Sequence, residues 1–316
     1  MLNHVLGLMD ILDNPAVTGK DAVSYLDTQA GADGSGADVT VADGPHGSTD
    51  FVRVRVPGRH GRAAGGDAPT LGVIGRLGGV GARPNLTGLV SDADGAVSAL
   101  AVAAKLLSMR ARGDTLEGDV LVTTHICPDA PTEPREPVPM MNSPVDMATM
   151  NTYEVYDEMA AVVSIDTTKG NRVINHKGVA LSPTVRAGYI LPVSDQLGRL
   201  LETVTGQPLV TYPVSTQDIT PYANGLDHIN SILQPATATN APVVGVAITS
   251  TATVAGCATG ASHETDIAAA ARYAVEVAKH FGAGTACFHD EAEFVALCAR
   301  YGSMTHLQEM GNEVSS

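Results

Sequence analysis

The chain has no tryptophan, and only eight tyrosines and four phenylalanines among 316 residues, so its core must rest on Val, Ala, Leu and Ile. Cysteine is scarce as well. Cys127, Cys257, Cys287 and Cys298 show neither CxxC spacing nor the density of a secreted scaffold, which excludes a zinc-cysteine module and favours a reducing compartment. Positive charge is short: 19 Lys and Arg stand against 34 Asp and Glu, a net charge of −15. That surplus repels phosphate backbones and anionic lipid surfaces, so neither nucleic acid nor membrane is an expected partner. No apolar run approaches the roughly 20 residues that a membrane span needs. The opening segment MLNHVLGLMDILDNP lacks a basic region, an apolar run and a small-residue cleavage site, and a cytoplasmic location is expected.

What is present is ordinary for a globular chain, 44% hydrophobic and 17% charged. The length fits one α/β domain over residues 1–316 with room for a sizeable core. Val5, Leu6, Met9 and Leu12 have helical spacing that Asn14-Pro15 breaks, and a second helix is expected over Lys20–Gln29. Gly31–Gly47, rich in Gly and Asp, leads into Phe51–Val56, whose alternation predicts a half-exposed strand. Buried strands are expected at Thr70–Gly75, Asp119–Thr124, Ala161–Ile165 and Val243–Ile248. Helices are expected at Gly95–Arg112, stopped by Gly113, at about His263–Phe281 and at Glu291–Tyr301. This alternation predicts a mixed or parallel sheet. Arg76–Gly88 reads as a Gly-rich loop, and Pro128–Pro144 as a surface lid, since its prolines suit neither helix nor central strand. Residues 172–214 carry short β-like runs and one helix near Ser194–Val204, forming either an inserted β-rich subdomain or an edge hairpin of the same sheet.

Four groups stand just after strand-like runs or at helix mouths: Asp92, His125, Asp166 and His263. Strand ends of an α/β sheet are where such folds bind ligands, so the pattern points to one metal or catalytic site. Asp92 and Asp94 open a helix, where a carboxylate caps free N–H groups; two acids so close also repel unless a proton or cation intervenes. His125, Cys127 and Asp129 cluster at one strand end, all groups that bind zinc or move protons, although each also has an ordinary packing or turn role. Lys169 and Arg172 follow Asp166 and would neutralise it or recognise an anionic substrate. Ser262, Thr265 and Asp266 carry helix-start chemistry, which leaves His263 less explained by local structure. The polar stretch Thr216–His228 suits a substrate loop, with Asp218, Asn224 and His228 as secondary candidates.

The stretches GSTDFVRVRVPG, LGVIGRLGG, GLVSDADGAVSAL, THICPDAPT, SIDTTKGNRVINHKG and GCATGASHE resemble an uncharacterised prokaryotic family that carries a domain-of-unknown-function label. More distantly, SDADGAVSALAVAAKLL resembles the helix-opening segment of zinc-dependent exopeptidases with the phosphorylase/hydrolase-like fold, Asp92 falling at their bridging aspartate. Asp166 and His263-Glu264 match a strand-terminal aspartate and a late ligand histidine of those enzymes. The chain departs from them twice, reading Gly75-Arg76-Leu77-Gly78 where they have His-x-Asp, and HICPD where they have Glu-Glu. The resemblance implies a mixed, largely parallel sheet with helices on both faces. It also implies one divalent ion, zinc before others, on Asp92, His125, Asp166 and His263, cleaving an amide bond of a small peptide or related nitrogen compound. Asp129 and His125 would be catalytic, Arg76 would contact an oxyanion or carboxylate, and Lys169 or Arg172 would hold a substrate carboxylate. A homo-oligomer acting on a small molecule or short peptide is expected. The rival readings are a fold relative that binds a metabolite without catalysis, and a metal-free lyase or isomerase using His125 and Asp129 as acid and base.

Overall fold

Short runs with apolar residues on both parities, such as Leu71–Gly75 and Val243–Thr249, can only be strands buried on two faces, and they need helices on either side. In the computed structural model, residues 1–309 are described apart from 137, 216–218 and 220–227, with 228–230 described for the backbone alone. The elements in chain order are α1 (Leu2–Leu12), α2 (Gly19–Ala30), β1 (Ala37–Gly44), β2 (Gly47–Val56), β3 (Leu71–Gly75), α3 (Asp94–Arg110) and β4 (Val120–Ile126). There follow β5 (Thr132–Glu133), β6 (Met140–Met141), α4 (Met147–Glu154), β7 (Ala161–Thr167), β8 (Gly178–Arg186), β9 (Tyr189–Leu191) and α5 (Asp195–Thr205). A 3-10 helix, His228–Thr237, then leads to β10 (Val243–Thr249), α6 (Glu264–Gly282) and α7 (Glu291–Tyr301).

Eight strands form one sheet in the order β1-β2-β4-β3-β7-β10-β8-β9. The central four, β4, β3, β7 and β10, run parallel, and the two strands on each flank pair antiparallel. Side chains alternate between faces. Leu71 and Val73 of β3, Ala161, Val163 and Ile165 of β7, and Val244, Val246 and Ile248 of β10 join one core with α1, α2, α3 and α6. Ile74, Leu121, Val162, Val243 and Ala247 point the other way, into a second cluster with Tyr212, Ile232 and Leu233. Helix α4 and the 3-10 helix 228–237 lie on that second side, against β4 and β7 respectively. The architecture is thus a mixed α/β sheet with helices on both faces.

Two regions that the sequence left open take definite form. The Gly- and Asp-rich 31–47 region holds β1, paired along its whole length with β2, because Val39 and Val41 alternate with polar residues between the glycines. The 172–214 region provides β8 and β9, the edge hairpin beside β10, and α5, which packs on α6. All four cysteines are free. Among the described residues no helix is long and apolar enough to cross a membrane.

Candidate active site

The register of the parallel strands assembles the site. Gly75 of β3 lies between Thr124 of β4 and Ile165 of β7, so the next residues on each chain, Arg76, His125 and Asp166, come side by side at the carboxyl ends. The Arg76 N–H donates to the Ile165 carbonyl at 2.9 Å and fixes this row. Helix α3 enters from above, preceded by the 3-10 turn Ser91–Ala93 that carries Asp92. Gly95 permits the approach: a Cβ there would stand 2.6 Å from both the Arg76 and Ile165 carbonyl oxygens.

Among the described residues six Asp, Glu, Lys or Arg side chains, Arg76, Asp92, Asp94, Glu154, Asp166 and Lys169, are buried at this end, none more than 2% exposed. Arg76 pairs through Nη1 with Glu154 Oε2 at 2.5 Å, and its Nη2 meets Met147 Sδ at 2.7 Å. Glu154 Oε1 accepts from His125 Nδ1 at 2.6 Å, while His125 Nε2 accepts the Gly78 N–H at 3.2 Å. Leu77, at φ 51°, turns the chain so that this N–H faces the ring. Gly78 leaves no room for a side chain, since a Cβ would stand 1.7 Å from the His125 carbonyl oxygen. Burial alone would raise the Glu154 acid, but Arg76 and His125 together hold it below the ordinary value.

On the other side, Lys169 Nζ pairs with Asp94 Oδ2 and donates to the Ala261 carbonyl at 2.8 Å, and Ser262 Oγ donates to Asp94 Oδ1 at 2.6 Å. Burial nevertheless raises Asp94, against the pull of Lys169. Asp94 makes no cap bond to its own helix, so the capping expected of it is replaced by this long-range pair. Asp166 Oδ1 accepts its neighbour's Thr167 N–H at 2.6 Å and Oδ2 accepts Ser231 Oγ–H at 3.0 Å. Burial still pushes it up to about 7. Asp92 is raised well above the ordinary range by burial and then by Asp166 and Asp94. Its Oδ2 is buried with no hydrogen-bond partner among the described residues.

Asp92, His125 and Cys127 line one small cavity, closed by Leu77 and Gly79 below and by Ala130 and Met141–Pro144 of the proline-rich excursion above. Its volume of about 10 Å³ accommodates about one water molecule. The excursion, expected as a lid, forms the hairpin β5–β6. The Cys127 thiol, pushed up to about 12 by burial, donates to Asp129 at 3.5 Å and is no thiolate.

Several expected roles are displaced. Asp129 is exposed, outside the cavity lining. Arg172 is exposed too. Arg76 and Lys169 are gathered in but committed to Glu154 and Asp94, so neither is free to hold a substrate group. His263 is the N-cap residue of α6, electrostatically close to Asp94, with Nδ1 buried and unpartnered among the described residues. Asp218 and Asn224 lie outside the described residues, as does the side chain of His228.

The four expected zinc ligands do not form one ligand set. His125 has both ring nitrogens engaged and Asp166 both oxygens, and Lys169 carries its charge beside Asp92. Among the described residues no three His, Cys, Asp or Glu side chains are grouped to hold a metal ion. Sequence reasoning missed Glu154. The available signal was Asp146, an N-cap that accepts the Thr149 N–H, followed by Met147 and Met150 at helical spacing.

A mutant of tomato leucine aminopeptidase shares this fold with a TM-score of 0.50 at 13% identity, over 87% of this chain and 61% of that chain. The chain therefore spans less than two thirds of that protein. No curated protein matches the chain. The family described as "Protein of unknown function (DUF1177)" matches residues 40–311, and the chain belongs to it.

Proposed function

We propose that the chain is a hydrolase that cleaves an amide bond of a small peptide or related nitrogen compound by acid–base chemistry, with the attacking water in the cavity lined by Asp92 and His125. One observation carries the reading. A carboxyl group pushed well above the ordinary range by burial and by two neighbouring acids lines the same water-sized cavity as an imidazole hydrogen-bonded to a buried carboxylate. Titratable groups whose surroundings push them apart mark the acid and the base. In this reading Asp92 would give a proton and His125 Nε2 would receive one. The lone pair rests on the Gly78 N–H at 3.2 Å, the long end of the hydrogen-bond range and the contact most easily exchanged for a water proton. Water attack would then pass a proton to His125 while Asp92 protonates the departing nitrogen. The aminopeptidase likeness supplies the fold, and the choice of an amide substrate rests on analogy with it.

A metal-dependent form of the same reaction has one observation in its favour. Asp92, Asp94, Glu154 and Asp166 outnumber Arg76 and Lys169 by two charges, the charge of a single divalent ion. The engaged oxygens and ring nitrogens described above argue against it. Assay of the purified chain on dipeptides, N-acyl amino acids and simple amides, with EDTA or with added zinc, manganese or cobalt, separates the two. The acid–base reading expects turnover that EDTA leaves unchanged and that Asp92→Asn or His125→Gln lowers on the order of 10²- to 10⁴-fold. Turnover that requires added metal, or that survives both substitutions, overturns it.

A further inference from the structure

His125 can act as a base through Nε2 in only one tautomer. Arginine donates hydrogen bonds and never accepts them, so the Arg76 guanidinium demands an oxygen of Glu154, and receives Oε2. The Gly78 N–H is likewise a donor, and it demands a lone pair on His125 Nε2. The ring proton must then sit on Nδ1, where Glu154 Oε1 accepts it at 2.6 Å. Glu154 is wholly buried, and its own backbone carbonyl accepts Thr123 Oγ–H at 2.9 Å, which ties the end of α4 to β4 two residues before His125. The orienting carboxylate therefore arrives on the same excursion, residues 128–154, whose hairpin roofs the cavity.

Building on the acid–base role assigned to the cavity, we propose that Glu154, held by Arg76, is a positioning residue that fixes His125 in the Nδ1–H tautomer and so keeps the lone pair on Nε2, where the Gly78 N–H holds it in the resting chain. The substitution Glu154→Gln tests this with little change of shape. Because Arg76 takes the amide oxygen, the amide NH₂ must face His125 Nδ1, and the ring proton has to move to Nε2, against the Gly78 N–H.

The measurement is proton-nitrogen NMR of the chain labelled with ¹⁵N-histidine, the His125 signal being identified by its loss in His125→Gln. Wild type is expected to show Nδ1–H at neutral pH. In Glu154→Gln the proton should move to Nε2, while Glu154→Asp, which keeps the charge, should retain Nδ1–H. On any amide that wild type hydrolyses, Glu154→Gln should lower kcat on the order of 10²-fold or more with KM little changed. Wild type in the Nε2–H form overturns the proposal, whether or not Glu154→Gln folds; so does folded Glu154→Gln that keeps Nδ1–H. If the tautomer moves as expected but wild type hydrolyses nothing in the amide series, the positioning role stands and the hydrolase reading falls.

Discussion

At the residue scale, a buried charge is tolerated through its partner, and the site contains two kinds of acid. Asp94 and Glu154 have dedicated cations in Lys169 and Arg76, although burial still raises Asp94, whereas Asp92 and Asp166 have none among the described residues and are raised too. Removing one member of a buried pair leaves the other uncompensated, at a cost of about 3–5 kcal/mol. Lys169→Met should therefore destabilise the fold by about that much, and adding Asp94→Asn should recover most of the loss in urea unfolding. Additive losses in the double variant would mean that the two side chains do not depend on one another. The cysteines divide in the same way, by surroundings. Iodoacetamide at pH 8 followed by mass spectrometry should label exposed Cys287 and half-buried Cys298 in the folded chain. Cys127 and Cys257, both buried and both raised by burial, should be labelled only after unfolding. Rapid labelling of Cys127 would show that the hairpin does not cover the cavity.

At the element scale, α3 sets how far Asp92 and Asp94 reach over the strand ends. Alanine is a better helix former than glycine by about 1 kcal/mol, so propensity alone predicts that Gly95→Ala stabilises the chain. The contacts predict the reverse, because the added Cβ would overlap two carbonyl oxygens of the strands beneath. Gly95→Ala should lower stability by about 1–3 kcal/mol, as overpacking does, and a rise in unfolding temperature would refute the close approach. The same helix shows what the sequence discloses. Short apolar runs and a helix mouth were legible, and they put His125 and Asp166 at strand ends and Asp92 just before α3. The partners were not legible. Glu154 meets His125 across 29 positions and Lys169 meets Asp94 across 75, joined by segments whose return path no local pattern encodes. Asp129 and Arg172 also follow strand ends, yet both are exposed, which strand-end placement alone does not reveal.

At the scale of the whole molecule, the site and the surface push stability the same way with pH. Asp166 has a folded value of about 7 against an ordinary 3.8, so the folded state holds its proton more tightly. Its contribution is complete below the ordinary value and is lost as pH rises through about 7. Asp92, raised as well, acts in the same sense. Glu154, held low, acts oppositely, its contribution being lost only as pH falls below the ordinary 4.5. A net charge of −15 already favours expansion at neutral pH, and further ionisation adds to the repulsion. Stability should therefore be greatest in mildly acidic solution. Between pH 5 and pH 8 the ionisation of Asp166 alone should remove about 3 kcal/mol, at about 1.4 kcal/mol per unit of displacement. Asp166→Asn keeps an acceptor for the Thr167 N–H and gives Ser231 a donor in place of an acceptor, so it should fold and lose that part of the slope. Urea unfolding at the two pH values measures it: a slope unchanged by Asp166→Asn would mean that this carboxylate ionises in the folded chain as it does in the unfolded one.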